Sequence, residues 1–363
     1  MPFEQPGPGD VPSQGYAVLS ALDTPVLVID GNTTVRYANE AAVRHLGPFP
    51  ERAILSARIR SPQIVDMVTQ VVADGKTRTI EHAERVPAER WYEVRLAAIP
   101  GRQSDIKDSV RKNSQFFLLS MRDLTEARRM DRMRTDFVAN ASHEMRTPLA
   151  SLMGFIETMQ GPARSDQKAQ ERFLSIMLDQ AMRMSRLIDD LLSLSRLEMR
   201  AHLTPNDEVD LDSLCHHVID ALRPMASEID VEITYDSPSS PIKVVGDRDE
   251  LIQVMENLVE NACKYGQSGK RVEVSVEQEE NGGVLVNVKD YGPGIERQHV
   301  PRLTERFYRV DGETSRLKKG TGLGLAIVKH ILTRHGARLI VRSEPGQGSN
   351  FGVKFPEGKV LKN

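Results

Sequence analysis

His143, Glu144 and Thr147 lie close together in a stretch whose spacing predicts a helix. A helix turns by about 100° per residue, so the apolar side chains of this stretch share one face: Phe137, Ala141, Met145, Leu152, Phe155, Ile156 and Met159. His143 points away from that face, and we expect it to face solvent. Glu144 lies beside it and Thr147 one turn further on. An acid and a hydroxyl next to an exposed imidazole could support acid–base or nucleophilic chemistry.

Pro148 lies in the same predicted helix, one turn beyond His143. Because proline has no N–H to donate to the carbonyl of Glu144, we expect a bend there. A lone histidine is most often an ordinary surface residue, and a proline can simply mark a helix boundary. The spacing alone therefore leaves a purely structural interpretation open.

A second set of polar side chains lies on a later predicted helix. Asn257 and Asn261 are four residues apart and share a helical face, and Lys264 and Tyr265 follow at the helix end. Amide oxygens can bind Mg²⁺, an ammonium group can meet phosphate, and an aromatic ring can cover a base. These residue types suit a nucleotide.

Two glycine-rich segments complete this set. Asp290 ends a predicted strand, where its carboxylate could accept the amino group of adenine, and the chain then turns through Gly292 and Gly294. The segment 320–326 combines a pliable backbone with the N-terminus of a predicted helix, whose free N–H groups and dipole favour phosphate.

Several other nucleotide-binding patterns are absent from the sequence. It contains no Gly-x-x-x-x-Gly-Lys-Ser/Thr loop, and the glycines of 320–324 are spaced by two rather than as Gly-x-Gly-x-x-Gly. The His-Arg-Asp and Asp-Phe-Gly motifs of protein kinases are also absent. Each segment alone is typical of ordinary turns or surface helices, so only their combination carries weight.

In this order, the segments resemble a known family over residues 136–355. Ser-His-Glu-Met-Arg-Thr-Pro-Leu at 142–149 resembles the H box of sensor histidine kinases, and the segments 257–265, 290–295 and 320–326 resemble the N, G1 and G2 boxes of the GHKL ATPases. Residues 302–311 resemble the F box, in a form that is similar to the phosphate-regulon sensor kinases. The resemblance implies a protein-histidine kinase that uses ATP and Mg²⁺.

The resemblance also implies roles for individual residues. His143 would accept phosphate to become phosphohistidine, Glu144 would orient its ring, and Thr147 would position water for dephosphorylating a partner protein. Asn261 would bind Mg²⁺, supported by Asn257. Further nucleotide contacts would come from Lys264, Tyr265, Asp290, Gly292, Gly294, Gly320, Thr321, Gly322, Leu323 and Gly324. The partner would be the receiver domain of a response regulator.

Changes in composition and pattern divide the chain of 363 residues into several domains. We expect a multidomain α+β protein with these parts: a disordered tail (1–14), a PAS-like sensory α/β domain (15–121), a helical signalling linker (122–135), a dimerisation and histidine phosphotransfer hairpin (136–200), a polar linker (201–210) and a catalytic ATP-binding domain (211–363). The tail is rich in Pro, Gly and Gln, which disfavours a packed core.

The PAS-like domain is predicted from a helix at 16–22, a hairpin at 26–39, a helix at 40–46 and strands at 79–84, 89–96 and 115–121. A sheet with helices on one face fits this order. A spacer or dimerisation domain without a ligand is an open alternative. The linker at 122–135 has no turn residues, so the helix is expected to continue into that of His143 and to transmit motion.

The hairpin is predicted to dimerise. Its second helix repeats apolar residues in steps of four and three, which favours a coiled coil or bundle: Phe173, Met177, Met184, Leu187, Leu191 and Leu194, interrupted by Gln180. Two helices cannot bury both stripes alone, so a homodimeric four-helix bundle is expected. A monomeric hairpin packed on the other domains is the alternative.

The last domain is predicted to be a two-layer α/β sandwich of the GHKL ATPase type. Its predicted helices are 211–229, 249–265 and 322–335. Its predicted strands are 231–235, 242–245, 271–278, 284–290, 338–343 and 349–355.

Composition limits the remaining functions. The net charge of −3 argues against binding to nucleic acid. Cys215 and Cys263 are far apart, as expected of reduced thiols. No apolar run reaches the ~18 residues that cross a bilayer, so we expect a cytoplasmic chain, either by itself or as the cytosolic portion of an inner-membrane sensor, with membrane contact only through spans outside this chain.

Two other functions remain to be weighed. One is an ATP-sensing dimeric scaffold that never phosphorylates itself, and the other is an ATP-driven clamp of the gyrase or mismatch-repair kind. Asn261, Asp290 and His143 disfavour the scaffold. The clamp would leave the His143 hairpin unexplained.

Overall fold

The computed structural model describes residues 13–84, 89–99, 116–200, 203–238, 240–310 and 320–361. The chain divides into two compact units, Met1–Asp136 and Phe137–Asn363. The predicted disordered tail lies outside the described residues up to position 12, whereas residues 13–20 form a helix. Asp311, at the end of the F-box segment, also lies outside them.

The first unit is built on a five-stranded antiparallel sheet. Its elements in chain order are α1 (Ser13–Ser20), β1 (Val26–Asp30), β2 (Val35–Ala38), α2 (Glu40–Leu46), a 3₁₀ turn (Leu55–Ala57), α3 (Pro62–Asp74), β3 (Arg78–Glu84), β4 (Arg90–Ala98) and β5 (Phe116–Asp123). The strand order is β2-β1-β5-β4-β3. The predicted hairpin, the helix after it and the three later strands are therefore present with small shifts of their ends.

Asn39 shows how the sequence sets the entry to α2. Its buried amide oxygen accepts the N–H groups of Ala42 (2.9 Å) and Val26 (3.0 Å), so it caps α2 and ties it to β1. Helix α3 was not among the predicted elements, although Pro62 at its first turn and Gly75 in the left-handed conformation beyond its end are ordinary helix boundaries. Its apolar face packs into the core of this unit.

Two long helices follow the sheet, α4 (Thr125–Gln160) and α5 (Gln167–Met199). The helix that begins after β5 continues through His143, as predicted, and it runs through Pro148 without ending there. Asp166 caps α5 by accepting the Ala169 N–H at 3.0 Å. The rings of Phe155 and Phe173 lie 5.2 Å apart and join the two helices into a hairpin.

The apolar stripe of α5 packs differently from the expected pattern. Leu187 and Leu194 are buried in a core that they share with the α/β domain, and Leu191 packs against it. Other apolar side chains of the hairpin are exposed: Leu149, Met153, Ile156, Leu174, Leu178, Met182, Ile188 and Leu192. The C-terminal part of the predicted stripe thus serves the docking of the hairpin on the α/β domain.

The α/β domain has a mixed main sheet of order β11-β12-β10-β9-β7. Its strands are β7 (Glu232–Asp236), β9 (Arg271–Gln278), β10 (Val284–Asp290), β11 (Arg338–Ser343) and β12 (Ser349–Phe355), and its helices are α6 (Leu211–Glu228), α7 (Arg248–Tyr265) and α8 (Gly324–Arg334). Alternate residues of β9 and β10 are buried, which fits helices on one face. The predicted two-layer α/β arrangement is confirmed.

A second, small sheet was not predicted. It consists of β6 (Asp207–Asp210), β8 (Lys243–Gly246) and β13 (Val360–Leu361), in the order β13-β8-β6. The prediction that 201–210 is wholly a linker is therefore wrong for its last four residues. Three of these four residues are acidic, so their side chains do not indicate a strand. The strand forms because its backbone pairs with that of β8, which lies far along the chain.

Candidate active site

The imidazole of His143 is exposed on α4, as predicted, while Ala141 and Pro148 on the same helix are buried. Glu144 forms an ion pair with Arg183 of α5 at 3.1 Å. Thr147 donates its hydroxyl hydrogen bond to the backbone carbonyl of His143 at 3.3 Å. The acid and the hydroxyl that flank His143 are thus held by the hairpin itself, and the ring is open to a reactant from solvent.

A cavity of about 500 Å³ lies in the α/β domain. It is bounded by α7, the end of β10, the segment before α8 and part of α5. Most of the predicted nucleotide-binding residues line it: Asn257, Asn261, Lys264, Tyr265, Asp290, Gly294, Gly320, Thr321, Gly322 and Gly324. The structure therefore brings together segments that are up to 67 positions apart in the sequence, from 257 to 324.

Gly292 and Leu323 are the two members of the predicted set that do not line this cavity. Gly292 is buried behind Asp290, and a Cβ there would come within 2.6 Å of the Gly266 Cα. Leu323 is fully buried in the core beneath α8. Both residues shape the site from behind rather than touching its contents.

Asp290 forms the most buried polar end of the cavity. Its carboxylate accepts the Gly292 N–H at 2.9 Å, and burial raises the pKa of the carboxyl above its ordinary value, against the effect of hydrogen bonds from Gly292 and Ser349. Gly294 has φ +71°, and a Cβ there would lie 2.0 Å from the Glu344 carbonyl oxygen. The backbone can make this turn only with glycine.

The α7 face carries the amides and the cation. Asn257 donates from its amide nitrogen to the Gln253 carbonyl at 2.8 Å, which fixes the direction of its oxygen. The Lys264 ammonium forms an ion pair with Glu260 one turn earlier. Lys264 and Glu260 both line the cavity, so the ammonium lies beside the space in which a phosphate could bind.

The third wall is the N-terminus of α8. No side chain caps this helix, although the Thr321 hydroxyl accepts the Leu323 N–H at 3.3 Å. Gly322 has φ +74°. Free N–H groups and the positive end of the helix dipole make this wall suitable for an anion.

Sequence reasoning missed several residues that line the cavity: Arg186, Asp190, Glu260, Ile295, Leu303, Tyr308, Arg309, Val310, Leu325, Ser349 and Phe351. Tyr308 and Arg309 lie in the F-box segment and could have been selected by that position. Arg186 and Asp190 lie on α5, and nothing in their local sequence indicates a cavity. They reach it because the hairpin packs on the α/β domain.

That packing is anchored near the F box. The ring of Phe307 lies 5.9 Å from that of Phe137 on α4, and the Arg306 guanidinium lies 5.0 Å from the Phe137 ring centre. Arg306 also forms an ion pair with Glu198 of α5. The F-box segment therefore contacts both helices of the hairpin.

The residues present suit Mg²⁺ bound together with a nucleotide. Among the described residues, no group of three or more His, Cys, Asp or Glu side chains could hold a metal ion. Mg²⁺ needs only one or two protein oxygens when phosphates and water complete its shell. The amide oxygen of Asn261 in the cavity can be one of them.

Two family models match the chain. Residues 133–200 match the His Kinase A (phospho-acceptor) domain, and residues 246–359 match the histidine kinase-, DNA gyrase B-, and HSP90-like ATPase family. The first match covers the hairpin with His143, and the second covers the cavity. The chain belongs to the sensor histidine kinases.

Its relatives point to the same class. The phosphate regulon sensor protein PhoR of Pseudomonas aeruginosa is 39% identical over 245 residues, which are 68% of this chain and 55% of that protein. The sensor protein kinase WalK of Staphylococcus aureus is 36% identical over 241 residues, which are 66% of this chain and 58% of that protein. The chain spans little more than half the length of these relatives.

Among solved structures, full-length ShkA in complex with AMPPNP is 27% identical, with a TM-score of 0.45, over 61% of this chain and 45% of that one. In the part of the chain that the structure describes, no helix has the length and apolar character needed to span a membrane.

Proposed function

We propose that this protein is an ATP-dependent histidine kinase that phosphorylates its own His143. The observation that carries this proposal is one cavity in which the α7 amides, Asp290 and the N-terminus of α8 converge, in a chain whose hairpin presents an exposed imidazole. The buried carboxylate suits the adenine amine. The helix terminus suits the phosphates.

Phosphoryl transfer needs positioning and charge neutralisation more than covalent help. Lys264 would meet the ATP phosphates, and the α/β domain would move to bring the γ-phosphate to a ring nitrogen of His143. Mg²⁺ bound by Asn261 would neutralise developing charge on the phosphates. The bond from the γ-phosphorus to the bridging oxygen breaks, a P–N bond forms and ADP leaves. Glu144 would orient the ring and accept its other proton.

We propose two further steps on the hairpin. Phosphohistidine 143 would pass its phosphate to an aspartate in the receiver domain of a response regulator, and Thr147 would help to position the water that later dephosphorylates that aspartate. Thr147 lies one turn from His143 on the same exposed surface, which supports a role at the same docking site.

We propose that the hairpin dimerises into a four-helix bundle. The exposed apolar side chains support this: on α4 they include Leu149, Met153 and Ile156, and on α5 they include Leu174 and Leu178. A row of this kind on two adjacent helices is costly in water and is expected at an interface. Sedimentation of the chain should give twice its mass, and a monomer would exclude the bundle.

The first unit is proposed to be a PAS-like sensory domain that acts through α4, in signalling of the phosphate-regulon type. The base of α4 is tied to its sheet: the Trp91 N–H donates to the Thr125 hydroxyl at 3.0 Å, and the guanidinium groups of Arg128 and Arg132 lie 5.5 and 5.4 Å from the Trp91 ring centre. A helix held in this way can carry a rotation along its axis.

Incubation with MgATP labelled at the γ-phosphate tests the kinase. The proposal predicts protein-bound label that acid removes and base does not, and its loss in Asn261→Ala. Nucleotide binding without label would favour the ATP-sensing scaffold instead. If the protein neither binds the nucleotide nor acquires label, the proposed nucleotide site is wrong.

A further inference from the structure

The nucleotide cavity contains an acidic side chain from the phosphotransfer hairpin. Asp190 lies on α5, and its Oδ2 accepts a 2.6 Å hydrogen bond from the hydroxyl of Thr321 in the segment before α8. Both side chains line the cavity. This hydrogen bond thus joins the hairpin to the segment before α8, which lines the proposed nucleotide site.

The position of this carboxylate is that of an anion ligand. Thr321 precedes the first residue of α8 by three positions, at the end of the cavity formed by the helix N-terminus. Free N–H groups and the helix dipole attract negative charge there. Asp290 marks the buried end proposed for adenine. The Asp190 carboxylate therefore lies at the end proposed for phosphates.

The surroundings of Asp190 make its charge costly. Burial raises the pKa of the Asp190 carboxyl, Glu260 and Asp189 raise it further, and only the Thr321 hydroxyl and Arg186 act in the opposite direction. Phosphates entering the cavity would add negative charge beside this carboxylate, and the resulting repulsion would weaken binding.

We infer that Asp190 is an internal competitor of the nucleotide phosphates, which holds Thr321 and the docked hairpin in the nucleotide-free enzyme. The inference rests on the proposed nucleotide site. Nucleotide binding would displace Asp190 from Thr321 and so loosen α5 from the α/β domain. The Asp190–Thr321 hydrogen bond would thus couple nucleotide occupation of the cavity to the freedom of the α/β domain to approach His143.

Reciprocity makes the coupling measurable. If the nucleotide weakens the docking through Asp190, then the docking weakens nucleotide binding by the same factor, so removal of the Asp190 charge should strengthen nucleotide binding by up to that factor. Asp190→Asn removes the charge and keeps an oxygen that can accept from Thr321. Asp190→Glu keeps the charge. Asp189→Asn is the matched control, because Asp189 is the exposed neighbour on α5 and does not line the cavity.

Calorimetric titration of the full chain with MgADP tests the inference without any phosphoryl transfer. Asp190→Asn should bind about tenfold more tightly than the wild type, Asp190→Glu should bind no more tightly, and Asp189→Asn should stay within about twofold. Unchanged or weaker binding by Asp190→Asn would overturn the inference. Weaker binding with a greater need for Mg²⁺ would make Asp190 a metal ligand instead.

A second measurement uses only the wild type, so it does not depend on the folding of a variant. Addition of MgADP should increase amide hydrogen exchange of α5 around residues 186–194, and protection there would contradict the release of the hairpin. If the wild type binds no MgADP, the proposed nucleotide site fails. If it binds while Asp190→Asn gains nothing, only the role of Asp190 fails.

Discussion

Gly324 faces Asn257 so closely that a Cβ at position 324 would lie 2.4 Å from the Asn257 amide oxygen. The nearest atom is the oxygen whose direction is fixed by the hydrogen bond from the Asn257 amide nitrogen to Gln253. A glycine at the first residue of α8 thus allows this helix terminus to approach the amide face of α7. The two walls of the cavity depend on this contact.

Gly324→Ala should weaken nucleotide binding, because the new methyl group must displace Asn257 or the start of α8. We expect a loss of about tenfold in MgADP affinity, measured by calorimetry. Gly358→Ala is the control, since a Cβ at 358 meets nothing within 4 Å. Wild-type affinity in Gly324→Ala would show that the contact does not set the geometry of the cavity.

Asp290→Asn should weaken nucleotide binding by about 10- to 100-fold through loss of a charged acceptor for the adenine amine.

Asp290→Asn should also stabilise the fold near neutral pH. Burial raises the folded-state pKa of Asp290 above its usual 3.8, so ionisation costs stability above that folded pKa, and the cost disappears as pH falls below the unfolded value. Melting temperatures of the two proteins should therefore differ most near neutral pH and converge toward pH ~4. A difference that grows in acid would contradict the assignment.

Thr147→Ala should retain autophosphorylation and lose most of the dephosphorylation of the receiver aspartate. The measurement is the decay of labelled response regulator with and without the variant. Thr158→Ala is a close match, because Thr158 lies on the same helix and makes the same kind of hydrogen bond, to the Gly154 carbonyl at 2.7 Å. Equal decay with Thr147→Ala and wild type would remove Thr147 from the mechanism.

Arg334→Met should destabilise the α/β domain. Arg334 and Glu250 form an ion pair with side chains only 9% and 13% exposed, and Arg334 also donates to the Leu203 carbonyl at 2.7 Å. Leaving Glu250 without this partner should cost about 3 kcal/mol of the free energy of unfolding. Urea denaturation of the variant and the wild type measures this difference in the free energy of unfolding.

Lys270→Met supplies the contrast, since the Lys270–Asp230 pair is exposed. Its loss should lower the free energy of unfolding far less than the loss of the Arg334 pair, because solvent screens an exposed ion pair. Equal effects of the two substitutions would mean that burial does not strengthen the Arg334 pair.

The elements and motifs with local signals were predictable. The strands 338–343 and 349–355 have the predicted ends, and α7 differs by one residue. The exposure of His143 followed from helical geometry alone. The motif residues formed one cavity because each motif sits at the end of a helix or strand, where the fold brings them together.

The missed strand β6 and the missed cavity residue Asp190 share a physical cause, which is dependence on distant parts of the chain. The strand β6 is polar and forms because it pairs with β8. Asp190 joins the cavity only through the docking of α5. No local pattern carries this information.

The residue that carries the phosphate decides whether His143 is the acceptor. After reaction with γ-labelled MgATP, the chain should be digested at alkaline pH and the labelled peptide identified by mass spectrometry. We expect label on the peptide of His143 and on none of the other eight of the nine histidines, and no label in His143→Gln. Label at another residue, or label retained in His143→Gln, would contradict it.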